Sequence, residues 1–534
     1  MTKSTLNFLF FLPLSIFTFF QKSQAQTQPQ VCGLSAHDSR IIFDDMLELR
    51  ERHPSVTSLR AVVYIPVWFH LVAKADGTGR VSMMKVLDML CEWNRLYSVN
   101  GVEMQFYIKG VNNINNSTLY DAPRSYEGEN LLKSQKKADG INVFMVNNAN
   151  DSAVPDGTIL GYYLNSVSGV PYDADWLVII NAQVSTAGAV TIAHEAGHYF
   201  GLPHTFQGWE ACPFQPTSAK PCAPTTIDCF DGVVYNVENA ARTGSSANCA
   251  TAGDGFCDTP PDYNLGYGAT SCTYIGLACD PKGIKIDPDE KNMMGYFTNC
   301  ATTLSTMQKA AMTNNYLNHA KRAALRTGNV QPAATVFTLS TPTLLAPING
   351  AKTQYFNNFT LTWQAVPNAT AYVVEISKST SFFDSRVFIA NTNALNINKS
   401  MVANYFTAAN TTYYWRVKPY NGYAACATPS VRQNFVTGLV SDVKELTEVS
   451  HFIIAPNPLS KTQNLQLAIT TEKAFEAQIK LYNLTGQLVF SERRYFDEGD
   501  SVQTFSVLGL NDGFYTLYLE SDKGVLTKKL VIKD

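Results

Sequence analysis

Apolar positions change their spacing several times along this chain, and each change marks a boundary. Lys3 is followed by an apolar run from Leu6 to Phe20, then by small and polar residues ending Ser23-Gln24-Ala25. The run is short for a membrane span and contains Pro13, so residues 1–25 read as a secretory signal peptide cleaved after Ala25. Residues 26–60 are polar, with a charged helical stretch from Ile41 to Arg52. From Ala61 strands and helices alternate. Val62–Phe69 reads as a buried strand. Val81–Tyr97 reads as an amphipathic helix with Met83, Val86, Leu87, Leu90 and Trp93 on its apolar side and Cys91 near the same packing. Met104–Ile108, Ile141–Val146 and Trp176–Ile180 are further strands, and Ser185 or Thr186 is the candidate N-cap of the helix after them.

Beyond His204 the periodicity fades. Residues 206–292 are rich in Gly, Pro, Asp and Cys, and Leu304–Leu325 then reads as a helix closing a domain over 61–326. Residues 327–340 form a Gly/Pro/Ala/Thr linker. Phe359–Trp363, Ala371–Ile376 and Thr412–Val417 alternate between turn residues, which predicts a β module over 340–437. A second linker around Gly438–Val449 precedes another β-rich module, 450–534. The expected fold class is multidomain: an α/β domain with a twisted sheet and an irregular lower subdomain, then two all-β sandwich modules.

Composition changes this picture in two ways. A net charge of −3 gives no reason to expect nucleic acid or an anionic surface as partner, and no later stretch is long and apolar enough for a transmembrane segment. Eleven cysteines in an exported chain predict disulfides, and the odd number leaves at least one for another role. Eight of them, Cys212 to Cys300, fall in and just beyond the irregular region, enough for four bridges to staple it. Cys32, Cys91 and Cys426 stand apart.

The candidate chemistry concentrates in Thr191–His204, which reads H-E-x-x-H-x-x-G-x-x-H and holds three of the chain's eight histidines. On a helix His194 and His198 share a face and can present imidazoles to one metal ion. Gly201 lets the chain leave the helix sharply and bring in His204. Three imidazoles with an open position describe a catalytic zinc site, with Glu195 beside that position rather than on the metal. Cys32, ahead of this site in Val31-Cys32-Gly33, is either an ordinary unpaired or disulfide cysteine, or a thiolate that fills the open position and keeps residues 26–60 as an inhibitory pro-segment. Arg60-Ala61 is the candidate cut. In Gly253–Pro261, Asp254, Asp258 and Thr259 offer hard oxygen ligands for calcium, against the alternative of a tight acidic turn held by Asx hydrogen bonds.

These motifs carry a resemblance. His194 to His204 is similar to the metzincin zinc signature, and Met294 in Asn-x-Met-x-Tyr looks like the Met-turn beneath the metal. HEAGHYFGLPHTFQG, GDGFCDTPP and NMMGY together resemble the pappalysin family of metalloproteases, of the ulilysin and mirolysin type, over about residues 30–325. The resemblance implies zinc on His194, His198 and His204, Glu195 as general base and acid, Tyr296 as a stabiliser of the tetrahedral intermediate, and calcium in the lower subdomain. It also implies a Cys-Gly switch at Cys32-Gly33, a Cys272–Cys300 disulfide, and Cys257–Cys279 as a second. Relatives that prefer a basic residue after the scissile bond have an acidic residue where this chain has Asn299, which puts that preference in doubt. The 340–437 module resembles a fibronectin type III domain. Pro456-Asn457-Pro458, the Leu481–Gly486 turn and Lys529–Ile532 look like a type IX secretion sorting domain of the kind carried by Bacteroidetes. The function this implies is a secreted zinc endopeptidase acting on protein or peptide substrates, delivered outside or to the cell surface by the type IX machinery, latent when made, and monomeric. The alternative is a surface adhesin with a degenerate metal domain.

Overall fold

The computed structural model describes residues 31–533 except 151–158, 168–169, 230–231, 298–299, 328–331, 399–400, 402–404, 439–445 and 447. The expected signal peptide and Asn299 therefore lie outside the described residues. Two units result, the first built from residues up to 339 with the short segments 368–370 and 420–427, the second from the remainder.

In the first unit a six-stranded sheet has the order β1-β5-β6-β4-β2-β3. The strands are β1 Val31–Cys32, β2 Val63–Ala73, β3 Met104–Asn115, β4 Ile141–Val146, β5 Ile159–Val167 and β6 Val170–Ile180. β2, β3, β4 and β6 run parallel; β5 is antiparallel to β6, and β1 pairs parallel with β5. β4 is buried at every position because helices cover both sides, as a parallel sheet requires. One face packs α2 (Met83–Val99) and α5 (Ala189–Tyr199). The other side packs Val72, Phe144, Val146, Trp176 and Val178 against Leu119 of α3 (Ser117–Asp121) and Leu132 of α4 (Tyr126–Gln135). Ahead of them α1 (Ala36–Arg52) is capped by Ser35, whose hydroxyl oxygen accepts from Asp38 N. The domain closes with α6 (Thr306–Asn318), started by a capping box of Ser305 and Gln308.

Some local expectations need correction. α5 is capped by Gly188, not by Ser185 or Thr186; Ser185 Oγ accepts from Gly188 N and so finishes the turn before the helix. The helix expected over 304–325 breaks at His319, whose extended backbone and side chain restart the chain as a 3-10 turn, 320–322. Cys257 does not pair with Cys279. Cys257 bonds Cys249 across a loop that brings their Cα atoms to 5.0 Å, while a backbone bridge sets Cys279 beside Cys222 with Cα atoms 4.2 Å apart. Cys272–Cys300 and Cys212–Cys229 complete the four staples of the irregular region. Cys91 on α2 bonds Cys426 within this unit, and Cys32 is free.

Among the described residues the second unit holds four sheets. Phe359–Trp363 lies between Ala394–Ile397 and Leu344–Ala346, and a five-stranded sheet includes Ala371–Ser377 and Thr412–Tyr420. Trp363 and Trp415 are fully buried with ring centroids 6.4 Å apart. Further along, a three-stranded and a four-stranded antiparallel sheet enclose one core, in which Leu465, Leu467, Ile479, Leu481, Leu517 and Leu519 alternate with outward residues. Among the described residues no helix is long and apolar enough to cross a membrane.

Candidate metal centre

α5 carries the site because its sequence is small on one side and histidine on the other. Gly197 has no side chain, and Met294 lies where its Cβ would be, 2.5 Å from Sδ. Met294 is fully buried under the helix in a turn whose backbone is fastened: Met294 N donates to Asn292 Oδ1, and Asn292 exchanges hydrogen bonds with Gln308 of α6. Gly201 turns the chain at φ +86°, a conformation that costs glycine little, and its N–H still bonds His198 O. His204 thereby comes back over α5.

The three histidines converge. His198 Nε2 is 3.1 Å from His194 Nε2 and 3.2 Å from His204 Nε2. His194 Nδ1 donates to Met293 O at 2.5 Å and His198 Nδ1 to Leu202 O at 2.7 Å, which leaves each Nε2 lone pair pointing inward. Neutral lone pairs facing one another inside a protein repel unless a cation lies between them. Nitrogens about 2.0–2.1 Å from a tetrahedral zinc stand only a little over 3 Å from each other, so the donor set fits that ion. Burial holds all three imidazoles neutral, His194 at about 4 and the other two well below their usual range. His204 Nδ1 makes no hydrogen bond, with Glu210 Oε1 3.6 Å away.

Cys32 completes the set: its thiol and the three imidazoles offer ligand atoms all within 4.8 Å of one another. Sγ also donates to Glu195 Oε2 at 3.3 Å. Burial, then the Glu195 charge, pushes this thiol well up, a tendency a bound cation reverses by holding thiolate. Glu195 is fully buried and lifted to about 8 by desolvation, opposed by the Cys32 contact, the Tyr163 main chain and the Arg124 charge. Tyr296 Oη donates to Cys32 O at 3.2 Å. A cavity of about 240 Å³ opens beside Glu195, walled by Leu160, Gln183, Thr191 and Met293, and among the described residues its lining holds no charged side chain except the site's own.

The acidic loop is only partly assembled. Thr259 Oγ1 bonds both carboxylate oxygens of Asp254, whereas Asp258 turns away and accepts from Ser305 Oγ and Met307 N at the start of α6. Desolvation raises Asp254 to about 8 and Glu238 well above its usual range. Glu238 Oε1 takes Arg242, and its Oε2 has no hydrogen-bond partner. Sequence reasoning passed over Glu238, Glu210, Arg124 and strand β5; buried carboxylates and a cleft-edge arginine carry no local spacing signal.

The secretion system C-terminal sorting domain family matches residues 453–533. Similar proteins include an extracellular metalloprotease of Sordaria macrospora, 23% identical over 316 residues, 56% of this chain and 92% of that protein. Another is an extracellular metalloprotease of Neurospora crassa, 24% identical over 252 residues, 44% of this chain and 77% of that protein. Among solved structures, the FN1–FN3 domains of chicken CNTN1 align with 36% of this chain and 66% of theirs, at 12% identity and a TM-score of 0.17. The fibronectin(III)-like modules of Clostridium thermocellum CbhA align with 36% and 93%, at 11% identity and a TM-score of 0.14. Overlaps this loose carry no argument about the fold. The sorting domain and these relatives establish an exported protein, at the cell surface or beyond it.

Proposed function

We propose that the chain is a secreted zinc endopeptidase of the pappalysin-like metzincin type, made latent by its own Cys32. The convergence of three inward-facing Nε2 atoms beside a buried glutamate carries this reading. His194, His198 and His204 would hold the zinc, which would supply Lewis-acid chemistry for water and for the scissile carbonyl. Glu195 removes the proton of the attacking water and returns it to the leaving amine. The Tyr296 hydroxyl donates to the substrate carbonyl oxygen as negative charge grows there, the role it plays now toward Cys32 O. Met294 keeps the imidazoles seated from below.

Glu195→Ala is the decisive variant. It keeps zinc at one equivalent, measured by atomic emission, and loses casein hydrolysis by about a hundredfold or more. Cleavage at the wild-type rate removes the assignment, and a zinc-free wild type removes the metal. The adhesin alternative keeps no support from a site whose ligands, base and Met-turn are all present.

Two further parts belong to the proposal. Asp254 and Thr259, with the free Glu238 oxygen nearby in charge terms, are read as a structural calcium site to which Asp258 contributes only through α6. Calcium chelation should then lower the melting temperature of the wild type and leave Asp254→Asn unmoved; equal shifts in both would exclude it. Residues 340–437 are read as a fibronectin type III-like spacer or binding module, and the last module as the address for the type IX machinery.

A further inference from the structure

The segment that fills the cleft is itself a peptide held by its main chain. β1 pairs with β5, and Gly33 N donates to Gly161 O at 2.8 Å. Tyr296 takes Cys32 O, and Arg124 Nη1 donates to Gly33 O at 2.7 Å. Of these contacts, the arginine's belongs neither to the metal site nor to the sheet.

Arg124 stands in the turn between α3 and α4, where Ser125 N bonds Ala122 O and the Ser125 side chain caps α4. Its guanidinium lies 4.6 Å from the centroid of the Tyr162 ring, which is buried on β5. A cation over an aromatic face is held laterally without a partner charge. Among the described residues no carboxylate hydrogen-bonds Arg124, so its position comes from the turn and the ring. Neither support involves residues 31–34. The approach is close: a Cβ at Gly33 would stand 2.6 Å from Arg124 Nη1 and 2.9 Å from Ile159 Cγ2.

We propose that Arg124 is a positioning residue that grips the main chain of the substrate, taking a backbone carbonyl of an extended peptide laid along the edge of β5 as it now takes that of Gly33. The ligand class is an extended, unfolded polypeptide, because the contact reads a carbonyl and not a side chain. A charged donor to a carbonyl is among the stronger hydrogen bonds, and its loss costs on the order of tenfold in binding. The substrate half of the proposal rests on the peptidase reading; the grip on the pro-segment does not.

The first test uses the full chain with its metal stripped and follows alkylation of Cys32 by iodoacetamide. Arg124→Ala should label about tenfold faster than wild type and Arg124→Lys, which keeps a donor, only a few-fold faster. Equal rates for all three overturn the grip. The second test takes the exported, processed protein and a fluorogenic peptide. Arg124→Ala should raise KM about tenfold with kcat within about twofold, and Arg124→Lys should recover most of the loss. A fall in kcat at unchanged KM overturns the positioning role. Absence of cleavage by the wild type removes the peptidase reading and leaves the labelling rates to decide the grip.

Discussion

At Gly197 a Cβ would meet Met294 Sδ at 2.5 Å, and Met294 is fully buried. Gly197→Ala should therefore cost about 1–3 kcal/mol through overpacking and weaken zinc retention, read as a lower melting temperature and faster loss of metal to a chelator. An unchanged protein would mean that Met294 does not brace the helix. Cys32 gives a second residue-scale outcome: Cys32→Ala in the unprocessed chain should be active early, and a variant that stays latent would show that another group blocks the metal. The histidine spacing was legible because helical geometry alone makes i and i+4 neighbours. The seat of Met294 was legible only through resemblance, since nothing local links residue 197 to residue 294.

Among elements, β2 carries a buried histidine outside the metal site. His70 lies between Asn142 Oδ1 at 3.0 Å and Asn112 Nδ2 at 3.2 Å and stacks on Phe144 at 4.1 Å. Burial lowers it to about 4, helped by Lys137 and opposed by Asn142. The native state thus refuses a proton that the unfolded chain takes near pH 6.5. The contribution is whole above that pH and drains as pH falls toward 4, on the order of 3 kcal/mol in all. Thermal melts of wild type and His70→Leu between pH 7 and 4.5 should show the steeper acid loss in the wild type; parallel curves would rule the effect out. Strand β4 could be read to the residue from an apolar run broken only by Asn142. β5 escaped notice because its apolar and polar positions follow no single period, and it is a strand chiefly through its pairing with β6 and β1. The Cys272–Cys300 bridge matches the resemblance, but the partners of Cys257 and Cys279 escaped for a similar reason: Cys249 and Cys222 win them through loop closure and a backbone bridge, neither of which spacing encodes.

At the scale of the molecule, the chain separates chemistry from delivery. The candidate metal ligands and the strand paired with residues 31–32 lie in the first unit, and the match to a sorting domain lies at 453–533 in the second. Deleting 450–534 should leave the protein inside the cell envelope, detected by fractionation and immunoblot; normal release would show that another segment carries the address. The sequence by itself determined most of the element types, the shared helix face of His194 and His198 and the surplus cysteine, because these follow from periodicity, helical spacing and parity. Only the tertiary structure decided where Cys32 and Gly33 lie, which cysteines pair besides Cys272 and Cys300, that Asp258 accepts hydrogen bonds at the start of α6, and that Arg124 reaches the Gly33 carbonyl. Those facts depend on contacts between residues far apart in the chain, and such contacts exist only after the sheet has set its strand order.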